Sequence, residues 1–152
     1  MTEFYNLHEA NARLPELRET MLRLIELRGD VVKLRDRILE LDAPALANGP
    51  ITLGGPVPAA RTALPPADRS SEEAQRLMLR MKGLIDQMEA AVAQIDGWNI
   101  QLREIGTGLV DFPALVSGRP VWLCWRLGED KIEWWHEFTE GFDTRKRIED
   151  LV

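Results

Sequence analysis

Leu17, Met21, Leu24, Leu27, Val31, Leu34, Ile38 and Leu41 recur at steps of three and four residues. That spacing lays a single apolar stripe along a helix about 40 Å long, at 1.5 Å of rise per residue. A stripe of that length needs a partner, and Ala74, Leu77, Met81, Leu84, Met88, Val92 and Ile95 form a second one. The expectation is a long antiparallel helical hairpin. Asn6 with Glu9 reads as a capping box that starts helix one at Leu7, and Pro15 predicts a kink before the longer part of a helix over 7–41. Ser70 with Glu73 repeats the capping logic for a helix over 70–96, and Gly97 is suited to end it. Residues 42–69 hold six of the nine prolines together with Asn48-Gly49 and Gly54-Gly55, so this stretch is expected to be a flexible loop.

Beyond Gly97 the hydrophobic period changes from helical to alternating. Trp98, Ile100 and Leu102 alternate with polar neighbours, and Leu109–Pro113, Pro120–Leu127 and Lys131–Phe138 are further strand candidates separated by Ser117-Gly118 and Gly128-Glu129-Asp130. The predicted fold is α+β: the hairpin packed on a tryptophan-rich antiparallel meander of three to four strands over 98–138, followed by a tail over 139–152. One domain is expected, because 152 residues bury roughly 70% of the unfolded surface in a single core.

A two-residue turn at Ser117-Gly118 pairs Phe112 with Leu123, Asp111 with Cys124 and Val110 with Trp125. A tip at Glu129-Asp130 pairs Arg126 with Glu133 and Trp125 with Trp134, and a tip at Gly128-Glu129 slides the strands by two without changing faces. A three-residue turn at Gly106–Gly108 sets Leu102 beside Phe112 and Arg103 beside Asp111. Parity then assigns Trp98, Ile100, Leu102, Val110, Phe112, Val121, Leu123, Trp125, Ile132 and Trp134 to the face beneath the helices. The opposite face receives Arg103, Asp111, Trp122, Cys124, Arg126, Glu133, Trp135 and Glu137. Its mixture of aromatic and charged groups makes it the candidate site for a partner or small ligand.

Charge and composition narrow the function classes. Nineteen basic against 25 acidic residues give a net charge of −6, which disfavours nucleic acid. Cys124 is the only cysteine and His8 and His136 the only histidines, so neither an internal disulfide nor a Cys/His zinc cluster is expected. The start of the chain carries no basic-then-apolar leader and no segment has the length of a membrane span, so a cytoplasmic location is the expectation.

Ala10-Asn11, Leu14-Pro15-Glu16-Leu17, Gly108-Leu109-Val110-Asp111-Phe112-Pro113, Cys124-Trp125-Arg126-Leu127-Gly128-Glu129, Trp135-His136 and Gly141-Phe142 occur in that order along the chain. This set resembles the uncharacterised prokaryotic family called domain of unknown function 2203. The resemblance implies a helical segment of variable length followed by the C-terminal signature, with no assigned activity. It also implies an acidic residue after Trp-His, matched by Glu137, and an arginine after Gly-Phe, matched loosely by Arg145.

The preferred functional expectation is a non-enzymatic interaction or scaffold domain, whose sheet face with Arg103, Asp111, Trp122, Cys124, Arg126, Trp135 and Glu137 receives a partner or ligand without a cofactor. The alternative is a small metal- or thiol-dependent enzyme centred on Asp111, Cys124, Glu129 and His136, with a divalent metal held by Asp111, Glu129 and His136. Parity argues against the metal, since it sends His136 to the helix-covered face and Asp111 to the other, so only a reversal of the alternation brings them together. His136 is then expected to hydrogen-bond a helix terminus, Asp111 to pair with Arg103 or Arg126, and Cys124 to be a small buried hydrophobe. Trp122 and Trp135 together expose too much apolar surface, so the tail, a second subunit or a ligand is expected to cover them. Leu22, Ile25, Val32, Leu39, Leu79 and Ile85 lie off the main stripes, and a homodimer through the helices is expected. Light scattering on concentrated protein should therefore give twice the 17.3 kDa chain mass, and a monomer mass would count against it.

Overall fold

The computed structural model of the chain describes residues 4–47 and 65–151, with the side chains of 42–47 and 65–70 left aside. Helix α1 spans Leu7–Ala47 and α2 spans Pro65–Gly97, followed by strands β1 Gln101–Glu104, β2 Leu109–Val116, β3 Arg119–Arg126, β4 Trp134–His136 and β5 Lys146–Arg147. The strands form one antiparallel sheet in the order β1-β2-β3-β4-β5. Two long packed helices and this sheet make the fold α+β. Among the described residues no helix is long and apolar enough to cross a membrane.

The start of α1 follows its sequence signal: the Glu9 N–H donates to Asn6 Oδ1 at 2.8 Å, and the Asn6 side-chain amide donates back to the Glu9 carboxylate. The helix runs unbroken through Pro15, which sits on the exposed side, and extends six residues past the expected end at Leu41. Helix α2 begins at Pro65, five residues before Ser70, consistent with proline being accommodated in a first helical turn. The expected loop over 42–69 is thus helical at both ends, and its remaining part, 48–64, lies outside the described residues.

The chain groups into two compact units, Met1–Glu26 with Met88–Val152, and Leu27–Gln87. In the second unit Leu27, Ile38 and Ala74 are buried, Arg37 Nη2 lies 3.4 Å from Glu73 Oε1, and Leu39 and Leu79 are more than half exposed. The first unit holds the core. Ala10, Leu14, Leu17, Met21 and Leu24 of α1, Ala91 and Ile95 of α2, and Val110, Phe112, Val121, Leu123 and Trp125 of the sheet are buried in one cluster.

Helix α2 closes with a left-handed residue, but that residue is Asn99 (φ 62°) and not Gly97. The Ile100 N–H donates to Ile95 O at 3.3 Å and the Asn99 N–H to Asp96 O at 2.8 Å, the paired bonds of a Schellman cap, with Ile95 and Ile100 both buried beside it. Because Trp98 and Asn99 are consumed by the cap, β1 starts at Gln101 instead of Trp98. Its register also departs from expectation: Leu102 faces Val110 and Gln101 faces Asp111, and Arg103 sits at a bulge.

The β2–β3 hairpin has the predicted register, including Phe112 with Leu123, Asp111 with Cys124 and Val110 with Trp125, about a turn in which Ser117 and Gly118 both have positive φ. Gly108, at φ 68°, is packed so closely that an added Cβ would lie 2.5 Å from the Leu127 Cβ. Gly108→Ala combines left-handed strain with that overlap and should destabilise the fold by about 2–4 kcal/mol, measurable by urea unfolding.

The β3–β4 register corrects the sequence reading. Trp122 faces His136, Leu123 faces Trp135 and Cys124 faces Trp134, an offset that falls midway between the two tight-turn alternatives. The ladder stops early because its next donors go elsewhere. The Arg126 N–H donates to Glu129 Oε1 at 2.7 Å and the Ile132 N–H to Asn11 Oδ1 at 2.8 Å, leaving a wide loop between the strands. A loop of that width permits a one-residue offset, and one residue exchanges the faces of an entire strand. Trp135 therefore points into the core, 4% exposed, while Trp134 and His136 point to the outer face. The tail then returns as β5 alongside β4, a fifth strand that the sequence reading does not contain.

Candidate functional site

Asp111, Cys124 and His136 project from the same face of three adjacent strands, two of them directly opposite each other in the β2–β3 ladder. One ligand atom from each lies within 4.8 Å of the others, and all three residues are buried. A carboxylate oxygen, a thiol sulfur and an imidazole nitrogen thus converge where the expected parity keeps His136 apart. His136 bonds no helix terminus: Nδ1 lies 2.9 Å from Glu137 O and Nε2 lies 3.1 Å from Asp111 Oδ2. A backbone carbonyl only accepts, so this contact puts a proton on Nδ1. In the neutral ring Nε2 then carries a lone pair aimed at a carboxylate oxygen. Two acceptors this close require a proton or a cation between them.

Asp111 distributes its partners unevenly. Oδ2 accepts from Arg103 Nε at 2.8 Å as well as facing His136, which realises the expected Arg103 ion pair, whereas Oδ1 is buried without any hydrogen-bond partner. Leaving a buried oxygen unsatisfied costs on the order of 1–3 kcal/mol, and more for a charged group. Burial, and after it the Asp111 carboxylate, push the Cys124 thiol up to about 12, against the opposing pull of Arg145. On its own the thiol is a protonated, inert group.

The other predicted residues surround this cluster at different distances. Trp122 stacks on Phe138 with ring centroids 4.6 Å apart, and the Arg103 guanidinium lies 4.9 Å from its ring. Arg126 is exposed and lies over Phe142, and it makes no pair with Asp111. Glu137 pairs with Arg119. Glu129 is absent from the converging set: its Oε1 accepts from the Arg126 N–H and lies 3.4 Å from Arg145 Nη1. Trp135, expected outside, is in the core, and its Nε1 donates to Arg147 O at 3.2 Å.

Arg145 is the residue beside this cluster that strand reasoning misses. Its guanidinium lies 4.4 Å from the rings of both Trp134 and Phe142 and interacts with the Cys124 thiol. The only sequence signal for it is the arginine that the family resemblance places after Gly141-Phe142. The tail therefore does reach the outer face, through Phe142 and Arg145, while Phe138 covers Trp122.

Two cavities lie elsewhere in the same unit, one of about 220 Å³ beside Asn11, Ile132 and Arg147 and one of about 240 Å³ beside Tyr5, Arg13 and Trp98. Neither contains a cluster of ligating groups. No curated protein and no solved structure matches the chain. The model of one family matches residues 3–148, nearly the whole length, and the chain belongs to that family, the uncharacterized conserved proteins DUF2203.

Proposed function

We propose that the outer face of the sheet is a divalent-metal site in which Asp111, Cys124 and His136 are the ligands and zinc is the best-matched ion. The observation that carries this reading is the convergence of an Asp111 carboxylate oxygen, the Cys124 sulfur and a His136 nitrogen within 4.8 Å of one another, on a carboxylate whose Oδ1 is buried without a hydrogen-bond partner. A cation on this set would offset the charge of the buried Asp111 carboxylate, whose Oδ1 has no hydrogen-bond partner, and would stand between that carboxylate and Nε2. It would also hold Cys124 as thiolate. The contact from Nδ1 to a backbone carbonyl is the arrangement that orients a ligating imidazole. Sulfur, nitrogen and oxygen together suit zinc, whereas magnesium and calcium prefer oxygen alone.

Tetrahedral zinc places its ligand atoms roughly 3.3–3.6 Å apart, so a set lying within 4.8 Å needs to close by at most roughly 1–1.5 Å. Three protein ligands leave one position for water or substrate, the arrangement of a Lewis-acid centre. Within this reading the sheet face is a binding surface, as the sequence suggests, with a cation as its first ligand. Protein stripped with a chelator and equilibrated with zinc should retain about one equivalent by elemental analysis after desalting, matching a three-ligand site. Cys124→Ser and His136→Ala should retain little. Equal retention by the wild-type protein and both variants would reject the site.

A further inference from the structure

We infer that the open position of this centre takes a small oxyanion, a carboxylate or a phosphate group, held jointly by the metal and by the guanidinium of Arg145; the inference rests on the proposed metal site. All three ligand side chains rise from one face of the sheet, so the metal's free hemisphere points away from the strands. Two guanidinium groups flank the cluster. Arg103 reaches Asp111 from β1, and Arg145 comes from the tail to lie over Trp134, the cross-strand neighbour of Cys124.

The two arginines differ in what they have left to offer. Arg103 spends its Nε on Asp111 Oδ2 at 2.8 Å, and its side chain is 42% exposed. Arg145 is 14% exposed, lies within 4.4 Å of the Trp134 and Phe142 ring centres, and meets Glu129 through one Nη at 3.4 Å. Aromatic packing holds its planar fork in place, which lowers the ordering cost of binding a second group. A guanidinium fork matches the two oxygens of a carboxylate or phosphate, and a metal with a vacant position takes one of them. The site therefore has a charge arrangement for an anion: divalent cation and Arg145 on one side, ring faces on another.

Cobalt(II) substituted into the chelator-stripped protein provides the test, because its visible absorption reports the inner coordination shell. Sodium acetate and inorganic phosphate are titrated separately, with sodium perchlorate as the ionic-strength control. The expected result is a saturable spectral change with acetate or phosphate and none with perchlorate. Acetate alone identifies a carboxylate site, and phosphate alone identifies a phosphate site. Arg145→Met, which keeps an unbranched side chain of similar length between the rings, should weaken anion binding by roughly tenfold or more while cobalt uptake is retained, and Arg145→Lys should fall between the two. Cobalt bound with no response to either anion, or an Arg145→Met affinity equal to wild type, overturns the anion site and leaves the metal site standing. Failure to take up cobalt overturns both.

Discussion

Zinc added to the metal-free protein should raise its melting temperature by roughly 8–16 °C when the free ion exceeds the dissociation constant a thousandfold. A ligand that binds only the folded state contributes about 4 kcal/mol at that excess, and each kcal/mol shifts the melting point of a domain of this size by about 2–4 °C. The gain has a definite local origin. In the metal-free site the Asp111 carboxylate is buried with Oδ1 lacking any hydrogen-bond partner, and a cation on the cluster would offset that cost. Calcium and magnesium should produce little shift, because neither favours sulfur. Cys124→Ser should lose most of the zinc response. A melting point independent of zinc would mean that the cluster is held by protons alone.

Cys124 in the native, metal-free protein should react with a thiol reagent at pH 8 at least 10³-fold more slowly, to order of magnitude, than in urea. The residue is 1% exposed and burial pushes its thiol up to about 12 from the ordinary 9.0. At pH 8 that difference alone lowers the thiolate population by roughly a factor of 10³, and the thiolate is the nucleophile. The sign also fixes a stability effect: a thiol whose pKa is raised by folding contributes fully below about pH 9 and loses that contribution as pH rises toward about 12. Stopped-flow labelling measures the ratio directly. Equal rates in buffer and in urea would contradict the burial of Cys124 on which the site is built.

The fold was legible wherever one period ran long enough. The stripes from Leu17 to Leu41 and from Ala74 to Ile95 identify two packed helices, and Ser117-Gly118 fixes the β2–β3 register because a two-residue turn leaves no choice of offset. Legibility fails where side chains take over backbone hydrogen bonds. Glu129 and Asn11 receive the Arg126 and Ile132 N–H groups, and the wide loop that results shifts β4 by a residue that turn chemistry does not anticipate. That shift moves Trp135 into the core and His136 to the outer face, so an error of one position separates a scattered set of polar residues from a converging one. Asp111 and Cys124 are correctly paired from sequence, and His136 joins them only through the shifted register. Glu129 lies outside the converging set, which contains Cys124 instead. The role of Arg145 depends on the tail pairing as β5, a strand of two residues that carries no periodic signal.

X-ray absorption at the zinc edge of protein loaded with one equivalent of metal tests the central claim most directly, because it counts ligand atoms by element. One sulfur at about 2.3 Å with two or three nitrogen or oxygen atoms at about 2.0–2.2 Å is the expected first shell, and Cys124→Ser should remove the sulfur contribution. A shell of nitrogen and oxygen only in the wild-type protein, unchanged in Cys124→Ser, would place the ion elsewhere and contradict the Asp111–Cys124–His136 centre.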